Sequence, residues 1–280
     1  MAIIAFWSNS KKQSGQTMSA AAVATYMAME HNKRVLLMST EYKDEVLEIA
    51  YGGFESNSSM LKSLLKHTGT GIDAGIEGLM KMSTSNRLTP EMIPNYTKIV
   101  FKDRLEVLFA PKKTDDEMQY KKILNSYADI ISIANRYYDM VFVDLNKSLE
   151  LEQTQEILKM SNVIVVNLEQ KLRKLDDFLR IKDEEPLLKG KNVLTLVNRY
   201  DKFSKYNSRN ITRYLGQKRE VFVVPYNTAF YEACEEGSIA EFFLKMRKID
   251  ATDKNGAFMQ EMKRTTDGII YKIQELQMRG

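Results

Sequence analysis

The sequence predicts a doubly wound α/β fold, a mostly parallel sheet flanked by helices. Two observations carry this. Seven short runs rich in Val, Ile, Leu and Phe recur along the chain, at 2–7, 34–39, 105–110, 140–144, 163–168, 193–198 and 221–224. Several are apolar almost throughout, as strands buried on both faces of a parallel sheet must be. The segments between them carry helical periodicity instead. Ile123, Tyr127, Ile130, Ile131 and Ala134 form one stripe, and Ile157, Leu158 and Ser161 end another. Alternation of this kind builds a sheet with helices on both faces.

Taken in order, the first strand leads into a polar loop, 8–18, and then a small-residue helix at 19–29. The stretch 51–96 is less regular. Its glycines at 52, 53, 69, 71, 75 and 78 leave room for short helices, expected at 59–67 and 74–81, on one edge of the sheet. A final amphipathic helix, 258–276, sets Met259, Met262, Ile269, Ile273 and Leu276 on one face for packing onto the body. No repeat and no linker divides the chain, so residues 1–280 are expected to form one domain.

Composition excludes several classes. With 44% hydrophobic and 28% charged residues the chain can build a sizeable core, and it is not disordered. One cysteine, Cys234, rules out an internal disulfide framework, and its helical surroundings make it a buried structural thiol. Two histidines, His31 and His67, without partners at ligand spacing, argue against a zinc site or a histidine-based triad. The apolar start lacks a basic leader and a cleavage site, and no run approaches membrane-spanning length, so a cytosolic protein is expected.

The loop after the first strand carries the functional signal. It reads Ser8-Asn-Ser-Lys-Lys-Gln-Ser-Gly-Gln-Thr-Met18 and opens a helix. A strand, a loop and a helix N-terminus together make an anion site, because free backbone N–H groups and the helix dipole point at the ligand. Gly15 and Thr17 match the end of a G-K-[ST] phosphate loop, with Gln16 in the lysine place.

At these residues the chain resembles the MinD/ParA group of P-loop ATPases, whose deviant loop is K-G-G-x-G-K-[ST]-[ST]. Lys11 matches the leading lysine, which in the family reaches the phosphates of a dimer partner. Gly15 matches the last glycine, and Thr17 the magnesium-binding hydroxyl. Lys12 and Gln13 replace two glycines, and Ser10 the first glycine of the broader motif. Ser39-Thr40-Glu41 stands where the family has D-x-D, so Glu41 takes the place of the aspartate that positions water. Met140-Val-Phe-Val-Asp144 resembles the Walker B strand, with Asp144 engaging magnesium through water. Asn198-Arg199-Tyr200 resembles the family's N-[RK]-Y, whose asparagine reads adenine. Pro225-Tyr226-Asn227 resembles the loop bordering the base.

The resemblance implies ATP with magnesium as ligands. They would be held by Lys11, Lys12, Ser14, Gly15, Gln16, Thr17, Met18, Asn198, Arg199, Pro225, Tyr226 and Asn227, with Thr17 and Asp144 on the metal. It also implies a homodimer that recruits protein partners. Within the group, the Phe-Trp-Ser approach to the loop and the replaced lysine are most similar to TadZ/CpaE-type proteins, which localise Tad (Flp) pilus machinery. A neutral Gln16 implies weak or absent hydrolysis. The alternatives are a non-nucleotide-binding interaction module and a ParA-like DNA-partitioning ATPase. The latter would use Lys202, Lys205, Arg209, Arg213, Lys218 and Arg219, within a stretch of seven cations and two carboxylates interleaved with Phe203, Tyr206 and Tyr214. A solvated helix face is the simpler reading of that stretch.

Overall fold

The computed structural model describes residues 1–10, 14–41, 45–52, 75–111, 117–145, 148–190, 192–250 and 252–278. The loop residues Lys11, Lys12 and Gln13 and the helix expected at 59–67 lie outside the described residues.

An eight-stranded sheet forms the centre, in the order β3-β4-β2-β5-β1-β6-β7-β8. The strands are β1 (Ala2–Ser8), β2 (Val35–Ser39), β3 (Lys98–Phe101), β4 (Leu105–Leu108), β5 (Met140–Asp144), β6 (Val163–Glu169), β7 (Val193–Tyr200) and β8 (Phe222–Pro225). All neighbours pair parallel except β3, which runs antiparallel to β4 at the edge. All seven runs expected from the sequence are strands, with ends shifted by a residue or two. β3 was not expected. It is four residues long and exposes Ile99 by 58%, so it lacks the continuous apolar signature of the buried strands.

The period of two sorts each strand between two cores. Ala2, Ile4 and Phe6 of β1 face one core, while Ile3, Ala5 and Trp7 face the other. The first core is covered by α1 (Gln16–Glu30), α2 (Val46–Gly52), α8 (Thr228–Glu235), α9 (Ile239–Met246) and α10 (Lys254–Gln277). The second is covered by α3 (Ile76–Thr84), α4 (Glu117–Ala134), α5 (Glu152–Met160), α6 (Leu172–Glu184) and α7 (Ser208–Tyr214). The stripe Ile123, Tyr127, Ile130, Ile131 and Ala134 is buried as its spacing requires. Helix α1 is buried on nearly every side. Its alanines at 20, 21, 22, 24 and 28 let it lie close on the sheet beneath α10. Among the described residues no helix is long and apolar enough to cross a membrane.

Cys234 lies in α8, buried near the cluster of Phe230, Phe242, Phe243 and Phe258. Burial, and then the neighbouring Glu235 charge, push its thiol up to about 12. Burial also raises the Tyr26 hydroxyl to about 12, aided by Glu30 and Asp267. These groups stay neutral in the folded chain when the unfolded chain has already lost their protons. Their contribution to stability is therefore complete below the unfolded values, near 9 for cysteine and 10 for tyrosine, and lost as pH rises towards 12. A urea midpoint constant from pH 7 to 8.5 and falling steadily above pH ~9 is the expected result. A midpoint flat to pH ~11 would contradict these environments.

Candidate functional site

The sheet brings the first loop and Asp144 together by register. Phe6 stands opposite Asp144 across the β1–β5 pair, and Ser39 stands opposite it across β2–β5. The carboxyl ends of β1, β2 and β5 therefore meet at one point. The strand order also reverses around β1, and open α/β sheets bind ligands at such a switch point.

Asp144 is fully buried there. Gln16 donates from Nε2 to its Oδ1 at 2.6 Å and to the Leu145 carbonyl at 2.8 Å. Thr17 donates from Oγ1 to Oδ2 at 2.7 Å, and Ser39 approaches the same oxygen at 3.4 Å. Glu41 lies one residue past Thr40, its N–H donating to Ser39 Oγ at 3.2 Å. The side chain in the lysine place thus points inward onto the carboxylate of β5. Thr17 and Asp144 together present hard oxygens of the kind that magnesium takes.

Gly15 makes the turn into α1 with φ 74° and ψ 9°. A side chain in this left-handed conformation costs about 1–2 kcal/mol. A Cβ there would also stand 3.4 Å from Asn198 Cβ. Gly15, the N-cap of α1, has no side chain to cap it, and the first turn of the helix holds no acidic residue. Ser14 Oγ accepts from the Gln16 N–H at 3.3 Å.

Strand β7 braces the loop from the other side. Asn198 donates from Nδ2 to the Ser14 carbonyl at 2.9 Å and accepts at Oδ1 from Ser19 Oγ at 2.8 Å. Both ends of the amide are engaged by the loop and α1. The next residue, Arg199, has φ 51°, a left-handed backbone in a non-glycine residue. The β7–β8 pairing shifts register between Val197 and Tyr200 at the same place. Pro225 ends β8, and with Tyr226 and Asn227 after it closes a groove with Gly15, Met18, Asn198 and Arg199. Asn227 caps α8 by accepting from the Phe230 N–H at 2.8 Å, while Tyr226 is 62% exposed. About 40 Å³ is open in this groove, well below the ~300–1,000 Å³ of ordinary ligand pockets.

No protein-family model matches the sequence, and no curated protein sequence matches it. Solved structures do match. A ParA family ATPase from Chlorobium tepidum TLS superposes with a TM-score of 0.69 at 15% identity, over 96% of this chain and 98% of that one. The fold is that of the ParA and MinD ATPases. The septum site-determining protein MinD from Pyrococcus horikoshii OT3, complexed with Mg-ADP, gives a TM-score of 0.65 at 14% identity, over 97% and 98% of the two chains. The MinC:MinD cell division complex of Aquifex aeolicus gives 0.63 at 16%, over 95% and 96%. At these identities the likeness is one of fold.

Within this ParA/MinD fold the basic stretch is divided between the two ends of the sheet. Lys202 and Lys205 lie in the turn after the carboxyl end of β7, each over an adjacent ring, Phe203 and Tyr206. Gln170 pins that turn through the Asp201 and Tyr206 carbonyls, both at 2.9 Å. Arg209 and Arg213 lie on α7. Lys218 and Arg219 line a separate groove of about 840 Å³ at the amino end of β7. There Arg219 pairs with Glu275 at 3.5 Å and lies over Tyr271. Next to it Arg264 pairs with Glu220 at 2.9 Å. The Ser208 hydroxyl and then Arg264 hold the Glu220 carboxyl below its usual range.

Sequence reading missed Ser19 and Ser39 as partners of Asn198 and Asp144. The left-handed backbone at Arg199 leaves no sign in the sequence. The Ser19–Asn198 and Ser39–Asp144 contacts join distant segments, for which spacing along the chain carries no signal.

Proposed function

We propose that this chain binds ATP with magnesium at the β1–α1 loop and acts by nucleotide-controlled association, with weak or no hydrolysis. It would serve as a dimerising localisation or scaffolding factor of the kind the TadZ/CpaE resemblance implies. The observation that carries the reading is the Gln16–Asp144–Thr17 cluster beneath a left-handed Gly15.

The donors present suit the ligand in two respects. A helix N-terminus behind Gly15 with no acidic residue in its first turn suits a phosphate. The Thr17 hydroxyl and Asp144 carboxylate suit magnesium. They fail in a third, since Gln16 supplies no charge and its amide is committed to Asp144 and Leu145. Charge that develops on a transferring phosphoryl group would lack that stabilisation, which supports binding over turnover. When bound, the nucleotide supplies a charged polyphosphate whose presence sets the surface a partner meets. Lys11 would reach the phosphates of the second copy. The complexes named for the related folds, MinD with Mg-ADP and MinD with MinC, support both a nucleotide and a protein partner.

Light scattering with and without ATP and magnesium tests the association. A monomer-to-dimer shift that needs both, and that Lys11→Ala abolishes, is the expected result. An unchanged mass with saturating nucleotide would remove the dimer switch.

A further inference from the structure

The groove at the amino end of β7 lies at the opposite end of that strand from Asn198 and the loop. Its volume of about 840 Å³ falls within the ~300–1,000 Å³ of ordinary ligand pockets. Strand β7 is buried from Thr195 to Asn198 but only half-buried at Val193 and Leu194, so the sheet itself forms part of the floor. Phe222, half-buried at the start of β8, supplies more of it. A Cβ on Gly268 of α10 would stand 2.1 Å from Phe222 Cζ. Glycine is unfavourable inside a helix. Here it lets the phenyl ring lie against the helix backbone.

The walls are charged. Among the described residues the groove presents five cations and three carboxylates. The carboxylates are already engaged. Glu220 meets Arg264 at 2.9 Å, Glu275 meets Lys272 at 2.7 Å and Arg219 at 3.5 Å, and Asp267 faces His31 at 3.5 Å. Lys182 of α6 and Lys218 of the turn before β8 have no ion-pair partner among the described residues. The Arg219 guanidinium stands 4.9 Å over the exposed ring of Tyr271, and a guanidinium plane is a stacking surface. An apolar floor, a stacking surface and unpaired cations on separate elements together match a flat aromatic body that bears an acid group. We infer that this groove is a second ligand site, for a small aromatic acid: an aryl sulfonate, phosphate or carboxylate. The inference stands apart from the nucleotide reading, since no residue of this groove belongs to the loop site.

Fluorescence titration of the full chain with anilinonaphthalene sulfonate tests this, beside its neutral analogue phenylnaphthylamine. The sulfonate should bind saturably, one molecule per chain, and magnesium with ATP should not displace it. Lys182→Gln combined with Lys218→Gln should weaken the sulfonate about tenfold or more, as loss of charge-assisted contacts does, and leave the neutral analogue nearly unchanged. The urea midpoint of this double variant should stay close to the wild type, because neither lysine has an ion pair to lose. Sulfonate binding by the double variant within about twofold of the wild type would overturn the inference. Equal losses for the two probes would overturn it too, by reducing the lysines to shaping the groove. Displacement by ATP would place the probe in the loop site, and a wild type with no saturable sulfonate binding would leave the groove without a ligand. Either result would end the proposal and leave the nucleotide reading standing.

Discussion

Gln16→Lys is expected to raise affinity for ATP with magnesium about tenfold or more. The native amide lies 2.6 Å from Asp144 Oδ1 and 2.8 Å from the Leu145 carbonyl, in a position 1% exposed. An ammonium there would pair with Asp144 and remain within reach of a phosphate at the mouth of α1. A charge-assisted contact contributes about 1.5–3 kcal/mol, and each 1.4 kcal/mol is a factor of about ten. If Gln16→Lys left ATP binding unchanged or weaker, the loop would not be a phosphate cradle.

Asp144→Ala should lower the unfolding free energy by about 3 kcal/mol. Deleting a buried charge can be neutral or stabilising when apolar groups take its place. That route is closed here, because the Gln16 amide and Thr17 hydroxyl stay behind in buried positions, 1% and 8% exposed. Each buried donor left without an acceptor costs about 1–3 kcal/mol. Two such donors outweigh the relief of removing one carboxylate. The same variant should lose the magnesium dependence of nucleotide binding. Urea denaturation and binding with and without magnesium read the two effects separately. A midpoint equal to the wild type would mean that the Gln16–Asp144–Thr17 cluster is not formed.

The sheet was legible because its strands are buried on both faces, and burial of that kind writes continuous apolar runs such as 140–144 and 163–168. Strand β3 was not legible, since Lys98–Phe101 is a half-covered edge with no such run. Helix α1 begins at Gln16 rather than at 19 because Gly15 supplies the left-handed turn that starts it. Gly15, Thr17 and Asp144 were legible as types at familiar spacing. The direction of Gln16 was not, because it depends on which strand lies beside β1. Nor was the turn at Arg199, which in sequence reads as the ordinary end of a strand. The basic stretch shows the converse. Its cations are close in sequence, but β7 separates Lys202 and Lys205 from Lys218 and Arg219.

The central claim is that this loop holds a nucleotide, and calorimetric titration of the wild-type chain with ATP tests it most directly, in the presence and absence of magnesium. Saturable binding that tightens with magnesium is the expected result. No heat at millimolar ATP under either condition would contradict it, and would leave a ParA/MinD fold that has kept its architecture without its ligand.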